Sequence, residues 1–406
     1  MRPPSLLTPK TAMQLTHASD ILAATAPFRP SRGGTISASR LHSLLGATHC
    51  AGRYSFTTEP YLIEGARVIH ERLDYRHLKL WFYECEQVYS QNSNWARPRD
   101  QSMVWLAKHP YYTAAFDLPF ETIALEVKFS CRGEHHPRPP GHMIAPDLDF
   151  AHEEQELYDL ARHFLETYRR RDITFILQNW EGDWMLREFP GAQWTDPAKV
   201  PADIAARLET FTRWVAIRQR AVDRARADVP DTRCRVLHAV EVNRVFDALL
   251  GAPTVASHVL PQVEVDLVSW SSYDGMQCDA HGTGDGAAIG MWQGLEIIRH
   301  YARTRLRDSK GRPQVMIGEF GLSETRLPDH KIPEQILEGT LAACLAQDTW
   351  LLHYWELYCN EPLDQSYKDA PLTRNLRADE LNGLWLINTD NQLSRTGAYF
   401  ASLLRP

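Results

Sequence analysis

Short apolar runs alternate with longer amphipathic segments along the chain from residue 41 onward. A short, continuous apolar run bounded by polar or turn-forming residues is typical of a strand that is buried on both faces. We therefore predict eight strands, in chain order at Ser43–His49, His77–Phe82, Ile123–Phe129, Ile173–Gln178, Arg235–Val240, Val265–Ser269, Gln314–Ile317 and Trp350–Trp355.

The segments between these runs have helical periodicity. The pattern is clearest after the fourth run, where Ile204, Leu208, Phe211, Val215 and Val222 fall three, four or seven residues apart, as in an amphipathic helix. The predicted helices are Glu59–Leu73, a region that ends near Tyr112, Glu153–Arg169, Ala202–Arg226, Val245–Leu250, Ala287–Leu306, Glu334–Gln347 and Gln392–Leu404.

Eight successive βα units predict an α/β fold, a (β/α)8 TIM barrel that forms a single domain over residues 41–406 with long βα loops. Residues 1–40 are rich in Pro, Ser, Thr and Arg, and we expect an irregular N-terminal arm there. An open, doubly wound sheet is the alternative, but its first βα turn is usually rich in glycine. Here the first strand continues into THCAGRYSF, which favours the barrel.

Composition and charge limit the partners. Hydrophobic residues make up 44% of the 406 residues and charged residues 23%, as in a soluble globular protein. The net charge of −7 and the pI of about 6.2 argue against a nucleic-acid partner, which needs a basic face. No apolar run is as long as a membrane span, so we expect no membrane partner.

The cysteines and the N-terminus favour a cytoplasmic location. The seven cysteines are an odd number and are scattered without a CxxC spacing, so neither a zinc ribbon nor a thioredoxin-like motif is present. The N-terminus has no continuous apolar segment of the kind that a secretory signal needs. Secretion by another route, or after removal of a signal, stays open.

Two glutamates are the main candidates for chemistry. Glu181 in FILQNWEGDW and Glu319 in QVMIGEFGLSE each follow a predicted buried strand, the fourth and the seventh. A carboxylate at the C-terminal end of a barrel strand faces the mouth of the barrel, where active sites are built. Two such carboxylates are the minimum for cleaving a glycosidic bond.

These positions resemble those of the retaining β-glycosidases on (β/α)8 barrels, the cellulase-like clan of glycoside hydrolases. In that clan an acid/base glutamate ends the fourth strand and a nucleophilic glutamate ends the seventh. IGEFG at Ile317–Gly321 is similar to the nucleophile motif of the clan. The resemblance covers residues 41–406 in architecture, and it implies that Glu181 is the acid/base and Glu319 the nucleophile.

The resemblance also implies residues that bind the sugar. Tyr273 in SWSSYDG and Trp355 in LLHYWELY match a tyrosine after the sixth strand and a tryptophan that ends the eighth. Lys79 stands where the clan often has an arginine. Two further aromatic residues, Trp81 beside this lysine and Trp184 in a polar loop, complete the aromatic candidates, because flat aromatic faces stack on sugar rings. Trp194 and Trp95 also lie in polar loop contexts.

One feature departs from the clan. Asparagine usually comes immediately before the acid/base glutamate, whereas here Asn179 is one residue earlier. A side chain that is one residue out of register points to the opposite face of a strand unless a bulge re-aims it. Either such a bulge lets Asn179 bind the sugar 2-hydroxyl or another group does, and Asn243 is the candidate. The chain therefore resembles a divergent family of the clan.

Each candidate also has a purely structural interpretation. A glutamate at a strand end is often a solvated residue or half of an ion pair, and Asp183 could compete with Glu181 for its role. Tyr273 and Trp355 could belong to the core, and Lys79 could simply pair with an acid. Glu241 and Glu356 also lie near strand ends, and they are the reserve candidates.

The leading hypothesis is a retaining glycoside hydrolase that acts on the β-glycosidic bonds of an oligo- or polysaccharide by double displacement. A carbohydrate-binding pseudo-enzyme on the same barrel is the alternative. Metal-assisted catalysis has little support, because His135, His136 and His142 lie in a Pro-rich loop without a metal-binding spacing. We therefore expect no cofactor and no metal, while the sugar, the linkage, endo or exo action and the oligomeric state stay open.

Overall fold

The computed structural model is a closed barrel of eight parallel strands, each paired with its neighbours in chain order, and β1 closes the ring against β8. The structure describes residues 37–83, 85–95, 102–127, 149–187, 194–276, 284–327, 332–368 and 372–405. The strands are β1 Leu45–His49, β2 His77–Trp81, β3 Thr122–Glu126, β4 Thr174–Gln178, β5 Arg235–Val242, β6 Leu267–Ser271, β7 Val315–Phe320 and β8 Leu352–Tyr354.

Helices surround the barrel. The α-helices are α1 Ala38–His42, α2 Tyr61–Arg67, α3 Cys85–Val88, α4 Met103–Ala107, α5 Pro110–Asp117, α6 Phe150–Thr167, α7 Gly182–Arg187, α8 Ile204–Asp228, α9 Tyr273–Met276, α10 Asp285–Tyr301, α11 Pro333–Ala346 and α12 Arg395–Leu404. Short 3₁₀ and π turns lie at Val68–Arg72, Pro197–Lys199, Phe246–Leu250, Val255–Val259, Leu260–Gln262, Gln365–Tyr367 and Ala378–Glu380.

Two apolar layers hold this architecture together. The larger layer lies between the strands and the helices, where for example Phe164 of α6 stacks on Phe175 of β4 with ring centroids 4.1 Å apart. The second fills the lower part of the barrel interior with Ala124, Ile176, Leu237, Ala239, Leu267, Met316 and Leu351. Residues two positions further along several of these strands are polar, so the barrel interior changes from an apolar floor to a polar upper layer.

The (β/α)8 prediction is confirmed, and most differences lie at the ends of the elements. The predicted helix Val245–Leu250 is a 3₁₀ helix, and the short helices α7 and α9 were not predicted. β5 and β7 extend further than predicted, to Val242 and Phe320, so Glu319 lies inside β7 rather than after it. The predicted helix over Ala287–Leu306 ends at Tyr301. Most of the predicted N-terminal arm, the Pro-rich loop with its three histidines, and Cys131 and Cys278 lie outside the described residues.

β7 contains a bulge at Gly318. Ile317 pairs with Trp270 of β6, but the next pair joins Glu319 to Ser271, so β7 has one residue more than its partner at this point. The pairing with β8 shifts at the same place. A bulge of this kind bends the strand and re-aims the side chains that follow it. The register of β4 with both of its neighbours is regular, so no bulge precedes Asn179.

None of the helices in the described parts of the chain is long and apolar enough to cross a membrane. In these described parts, the free cysteines are Cys50, Cys85, Cys234, Cys344 and Cys359, and each of them is buried.

Candidate active site

A buried lysine lies at the centre of the polar upper layer. The Lys79 Nζ atom on β2 lies 2.6 Å from a Glu126 carboxylate oxygen, 2.8 Å from Glu319 and 3.4 Å from Glu241. It also donates a hydrogen bond to the Gly318 carbonyl oxygen at 3.2 Å. Burial by itself would lower the pKa of Lys79, but the three carboxylates raise that pKa well above its ordinary value. Lys79 is therefore a fixed positive charge.

Glu319 accepts hydrogen bonds on both carboxylate oxygens. Lys79 donates to Oε1, and the Tyr273 hydroxyl donates to Oε2 at 3.4 Å. Burial raises the pKa of Glu319, the charge of Lys79 opposes this rise, and the charge of Glu241 adds to it. Burial and the nearby glutamates also raise the pKa of Tyr273, so its hydroxyl keeps the proton that it donates. These contacts bring together three of the predicted site residues.

Glu181 lies between the end of β4 and the start of α7, and it is partly exposed. Its carbonyl oxygen accepts hydrogen bonds from the amides of Trp184 and Met185, which fixes its backbone in the first turn of the helix. Within the described part of the chain, its carboxylate makes no hydrogen bond. Burial raises the pKa of Glu181 well above its ordinary value, and the charges of Glu319 and Glu241 add to this effect. The carboxyl group is thus suited to carry a proton.

Glu126 at the end of β3 is the third carboxyl group beside Lys79, and it is fully buried. Burial raises the pKa of Glu126 well above its ordinary value despite the opposing charge of Lys79, and the charges of Glu319 and Glu241 raise it further. One ammonium cannot balance three buried carboxylates, and a proton on Glu126 reduces the excess negative charge.

Glu241 on β5 is fully buried, and its carboxylate is surrounded by donors. Oε2 accepts hydrogen bonds from Gln178 Nε2 at 2.7 Å and from Ser269 Oγ at 2.9 Å, and the Lys79 ammonium lies 3.4 Å from the same oxygen. Oε1 accepts from the backbone amide of Glu181 at 3.0 Å. Glu356, the other reserve candidate, is also fully buried, and its carboxylate accepts hydrogen bonds from the backbone amide of Asn360 and from the thiol of Cys50. Neither carboxylate reaches the surface.

The Asn179 side chain is hydrogen-bonded to the backbone of β5 and of its own neighbour. Its Nδ2 donates to the carbonyl oxygens of Trp180 and Glu241, and its Oδ1 accepts from the amide of Glu241. Both Nδ2 protons are therefore in use, and the side chain is only 2% exposed. The structure thus gives Asn179 no free donor for a sugar 2-hydroxyl and joins it to β5 instead.

A second bridge joins the same two segments. The backbone amide of Asp183 donates to Asn243 Oδ1 at 2.9 Å, and the Asp183 carboxylate accepts from the amides of Asn243, Arg244 and Val255. Asp183 is fully buried, which removes it as a competitor of Glu181. Asn243 is 4% exposed, and its oxygen is occupied by this bridge. The loop that carries Glu181 is thus fastened to β5 on both sides of Glu181.

Aromatic rings form one side of the barrel mouth. Trp355 follows β8, is 6% exposed, and is joined to Glu356 by a cis peptide. Trp81 at the end of β2 lies 6.0 Å from Trp355, ring centroid to ring centroid, and stacks on Tyr83 at 5.2 Å. The indole N–H of Trp81 is buried and has no hydrogen-bond partner in the described residues. Two predicted sugar-binding residues thus lie side by side.

The other tryptophans behave differently. Trp184 on α7 is partly exposed, and the Arg244 guanidinium lies 5.4 Å from its ring. Trp194 is only 2% exposed, so it is a core residue and not the sugar platform that its polar sequence context indicated. Trp95 packs against His109 at 4.4 Å and donates its N–H to the Tyr89 carbonyl oxygen, which also gives it a structural role.

The three buried carboxylates also meet the geometric requirement for holding a metal ion. Oxygen atoms of Glu126, Glu241 and Glu319 lie within 4.8 Å of one another. The Lys79 ammonium already lies in contact with all three groups, and a metal ion would have to displace this cation. The donor set therefore fits Lys79 better than a divalent ion, and the three histidines of the Pro-rich loop lie outside the described residues.

Four site residues were not assigned from the sequence: Glu126, Glu241 as a structural acceptor, Gln178 and Ser269. For the two glutamates and Gln178 the signal was present, because a charged or amide side chain lies in each of the otherwise apolar strands TIALE, RVLHAVEV and TFILQ. An inward-pointing polar residue in such a strand needs a partner inside the barrel. The identity of the partner depends on the barrel geometry and is not visible along the chain.

Neither a family model nor a curated protein matches the sequence. Among solved structures, the chain is similar to a GH5_18 from Bifidobacterium longum subsp. longum ATCC 55813, with 14% identity, a TM-score of 0.56, and coverage of 89% of this chain and 78% of that one. A GH5_18 from Bifidobacterium longum subsp. infantis has 15% identity, a TM-score of 0.53, and coverage of 89% and 78%.

A third similar structure is the exo-β-1,4-mannosidase Op5Man5 from Opitutaceae bacterium strain TAV5, with 13% identity and a TM-score of 0.54. The alignment covers 94% of this chain but 61% of that one, so this chain spans less than two thirds of that protein. At these identities the likeness establishes a shared (β/α)8 fold, and the chemistry has to be argued from the residues of this chain.

Proposed function

We propose that the protein is a retaining β-glycoside hydrolase in which Glu319 is the nucleophile and Glu181 the acid/base. The observation that carries this proposal is the pair of different environments around the two carboxyl groups. Glu319 receives hydrogen bonds from Lys79 and Tyr273, which favour its ionised form, whereas Glu181 has no such donors and a pKa raised well above its ordinary value. With such different surroundings, the ionised carboxyl group can act as the nucleophile and the protonated one as the acid.

In the first step, a Glu319 oxygen forms a bond to the anomeric carbon of the sugar while the bond from that carbon to the leaving oxygen breaks. Glu181 gives its proton to the leaving oxygen and becomes a carboxylate. Tyr273 and Lys79 hold Glu319 in place for the attack. The product of this step is an ester between Glu319 and the sugar, together with the released alcohol.

In the second step, a water molecule attacks the same carbon. Glu181, now ionised, takes a proton from this water, and the bond between the sugar and Glu319 breaks. Glu181 is protonated again, and Glu319 is again a carboxylate. Two displacements at one carbon leave the anomeric configuration unchanged.

Aromatic faces provide the binding surface. Trp355 is the platform below the sugar that is cleaved, Trp81 extends this wall, and partly exposed Trp184 lies beside Glu181 on the other side of the mouth. The indole N–H of Trp81 has no partner in the described residues, and a sugar hydroxyl would satisfy it. Aryl β-mannosides come first in the substrate panel, because one structural neighbour is named as a β-1,4-mannosidase.

The test uses azide with two variants on 2,4-dinitrophenyl β-glycosides, with mannoside, glucoside, xyloside and galactoside as the panel. Both Glu181→Ala and Glu319→Ala should lose nearly all turnover of unactivated substrates. With azide, Glu181→Ala should form a β-glycosyl azide, because azide attacks the ester and needs no base. Glu319→Ala should form an α-glycosyl azide, because azide then attacks the substrate directly.

Near wild-type turnover in both variants would refute the assignment. Exchanged azide products would reverse the two roles. Saturable oligosaccharide binding by the wild type, without any release of reducing ends, would instead identify a carbohydrate-binding pseudo-enzyme.

A further inference from the structure

Glu241 contacts the backbone of Glu181 and the lysine that holds Glu319. Its Oε1 accepts from the backbone amide of Glu181 at 3.0 Å, and its Oε2 faces Lys79 Nζ at 3.4 Å, the same ammonium that holds Glu319 at 2.8 Å. One buried carboxylate thus joins the backbone of the proposed acid/base to the cation that holds the proposed nucleophile.

Two neighbours fix the orientation of this carboxylate. Gln178 Nε2 and Ser269 Oγ both donate to Oε2, from the strands on either side of β5. The backbone of Glu241 is fixed as well, because the Asn179 side chain bonds both its amide and its carbonyl group. The Glu241 carboxylate therefore has a single orientation, set from both neighbouring strands.

The glycines beside the two glutamates give independent support. Gly182 follows Glu181, and a Cβ atom there would lie 2.5 Å from the carbonyl oxygen of Glu241. Gly318 precedes Glu319, and a Cβ atom there would lie 2.2 Å from Glu241 Oε2. Both distances are shorter than real contacts of a Cβ atom. Both segments therefore approach Glu241 so closely that only glycine fits.

From these contacts we propose that Glu241 is a positioning residue, one that sets the placement of Glu181 and Glu319 relative to each other and fixes the negative charge beneath them. This role rests on the proposed hydrolase function. Glu241 touches no substrate, because its side chain is fully buried and all its contacts are internal. It acts through the Glu181 backbone on one side and through Lys79 on the other.

The charge of Glu241 gives this role a signature that a structural residue lacks. A negative charge below Glu181 and Glu319 disfavours their ionisation, so its removal should lower the proton affinity of both groups. The pH dependence of kcat/KM reports the ionisations of the free enzyme. In Glu241→Gln, both limbs of that profile should move to lower pH, and kcat should fall about 10- to 100-fold because the reacting groups lose their alignment.

Two comparison variants separate charge from position. Glu241→Asp keeps the charge but shortens the side chain, so the limbs should stay near those of the wild type while kcat falls. Asp308→Asn removes a buried carboxylate that pairs with Arg312 and Arg299 in the segment before β7, at the end of the barrel opposite the site, so neither limb should move. The readouts are kcat and KM on the best dinitrophenyl glycoside from pH 4 to 9 (a range chosen to span the ionisations of the glutamates).

Carboxyl ¹³C NMR titration of glutamate-labelled protein tests the charge effect without any substrate. The Glu181 and Glu319 signals are assigned from their Gln variants, and both should titrate at lower pH in Glu241→Gln. The proposal would be overturned if Glu241→Gln folds and both its pH profile of kcat/KM and its Glu181 and Glu319 titrations match those of the wild type. A wild-type kcat in Glu241→Asp would also overturn it. Inactive wild type with shifted titrations would instead refute the hydrolase function while leaving the charge effect intact.

Discussion

The buried ammonium of Lys79 on β2 lies 2.8 Å from the carboxylate of Glu319 on β7, although the two strands are not neighbours in the barrel. This ion pair crosses the interior of the barrel mouth. It holds the proposed nucleophile from a strand on the other side of β1 and β8. The stability of the barrel and the ionisation of Glu319 therefore depend on the same contact.

Replacing Lys79 by methionine should destabilise the fold in a pH-dependent way. The variant keeps a side chain of similar length but leaves three buried carboxylates without their cation. Breaking a buried ion pair by removing one partner costs about 3–5 kcal/mol, and we expect this loss at pH 7.5. Without this cation, the pKa values of Glu126 and Glu319, which burial already raises, rise further, so folding takes up protons and the loss shrinks toward pH 5.

Urea denaturation at both pH values measures this effect. Lys199→Met is the control, because Lys199 is half exposed and its pair with Asp196 lies on the surface. Its cost should stay within about 0.5 kcal/mol at either pH. An equal loss for Lys79→Met at both pH values would contradict the electrostatic explanation.

Glu126→Gln should be well tolerated, and increasingly so as the pH rises. The pKa of Glu126 is raised in the folded state, so the wild type gains a proton on folding at intermediate pH. Its stability therefore falls as the pH rises above the ordinary value of 4.5, by about 1.4 kcal/mol per pH unit until the folded pKa is reached. Glutamine does not titrate and lacks this penalty.

The measurement for Glu126→Gln is the unfolding free energy of variant and wild type at several pH values from 5 to 8 (a range placed above the ordinary carboxyl pKa). The difference should move in favour of the variant with increasing pH. A difference that stays constant across this range would mean that Glu126 does not carry the extra proton.

Gly318→Ala should impair both stability and activity. The new Cβ atom would lie 2.0 Å from Ser269 Oγ and 2.2 Å from Glu241 Oε2, so the bulge in β7 or the buried carboxylate must move. Overpacking of this kind costs about 1–3 kcal/mol. Since Glu319 is the next residue, we also expect kcat/KM to fall at least tenfold.

Gly251→Ala is the matched control. Gly251 has a φ of 79° but nothing within 4 Å of a new Cβ atom. Its cost should be the conformational one alone, about 1–2 kcal/mol, with kcat/KM unchanged. Thermal denaturation and kinetics on one glycoside decide the comparison, and a Gly318→Ala enzyme as active as Gly251→Ala would show that the site tolerates the displacement.

Asn179→Ala should lower kcat/KM by the same factor on a 2,4-dinitrophenyl β-glycoside and on its 2-deoxy analogue. In the structure the Asn179 amide holds the backbone of Glu241, so its loss disturbs the site independently of the sugar 2-hydroxyl. A contact with the 2-hydroxyl would instead make the variant discriminate less between the two substrates. The ratio of kcat/KM values, wild type against variant, separates these cases.

The barrel and the position of its main carboxylate were predictable from local pattern. The alternation of apolar runs and amphipathic segments predicted eight strands in the right order, and Glu319 belongs to the seventh, although that strand was predicted to end two residues before it. Local pattern sufficed because strands buried on both faces are apolar throughout. The ends of β5 and β7 were missed, since polar residues such as Glu241 and Glu319 continue these strands inside the barrel.

The remainder of the site depends on contacts between distant segments. Asn179 looked like a misplaced sugar-binding residue, but its partner is the backbone of Glu241, 62 residues further along the chain. Trp194 lies in a polar context yet is buried, with the Arg187 guanidinium 5.2 Å from its ring. Such pairings follow from strand register and helix packing, which one sequence does not reveal.

The shared ammonium has a consequence for how these positions can change. A compact ammonium group can lie between several separate carboxylates, and Lys79 has Glu126, Glu241 and Glu319 around it. The guanidinium of arginine is larger, planar and forked, and it pairs best with one or two coplanar carboxylates. Replacing Lys79 by the arginine that is frequent in the clan which the sequence resembles would therefore need compensating substitutions at positions 126 and 241. Positions 79, 126 and 241 should accordingly vary together rather than singly.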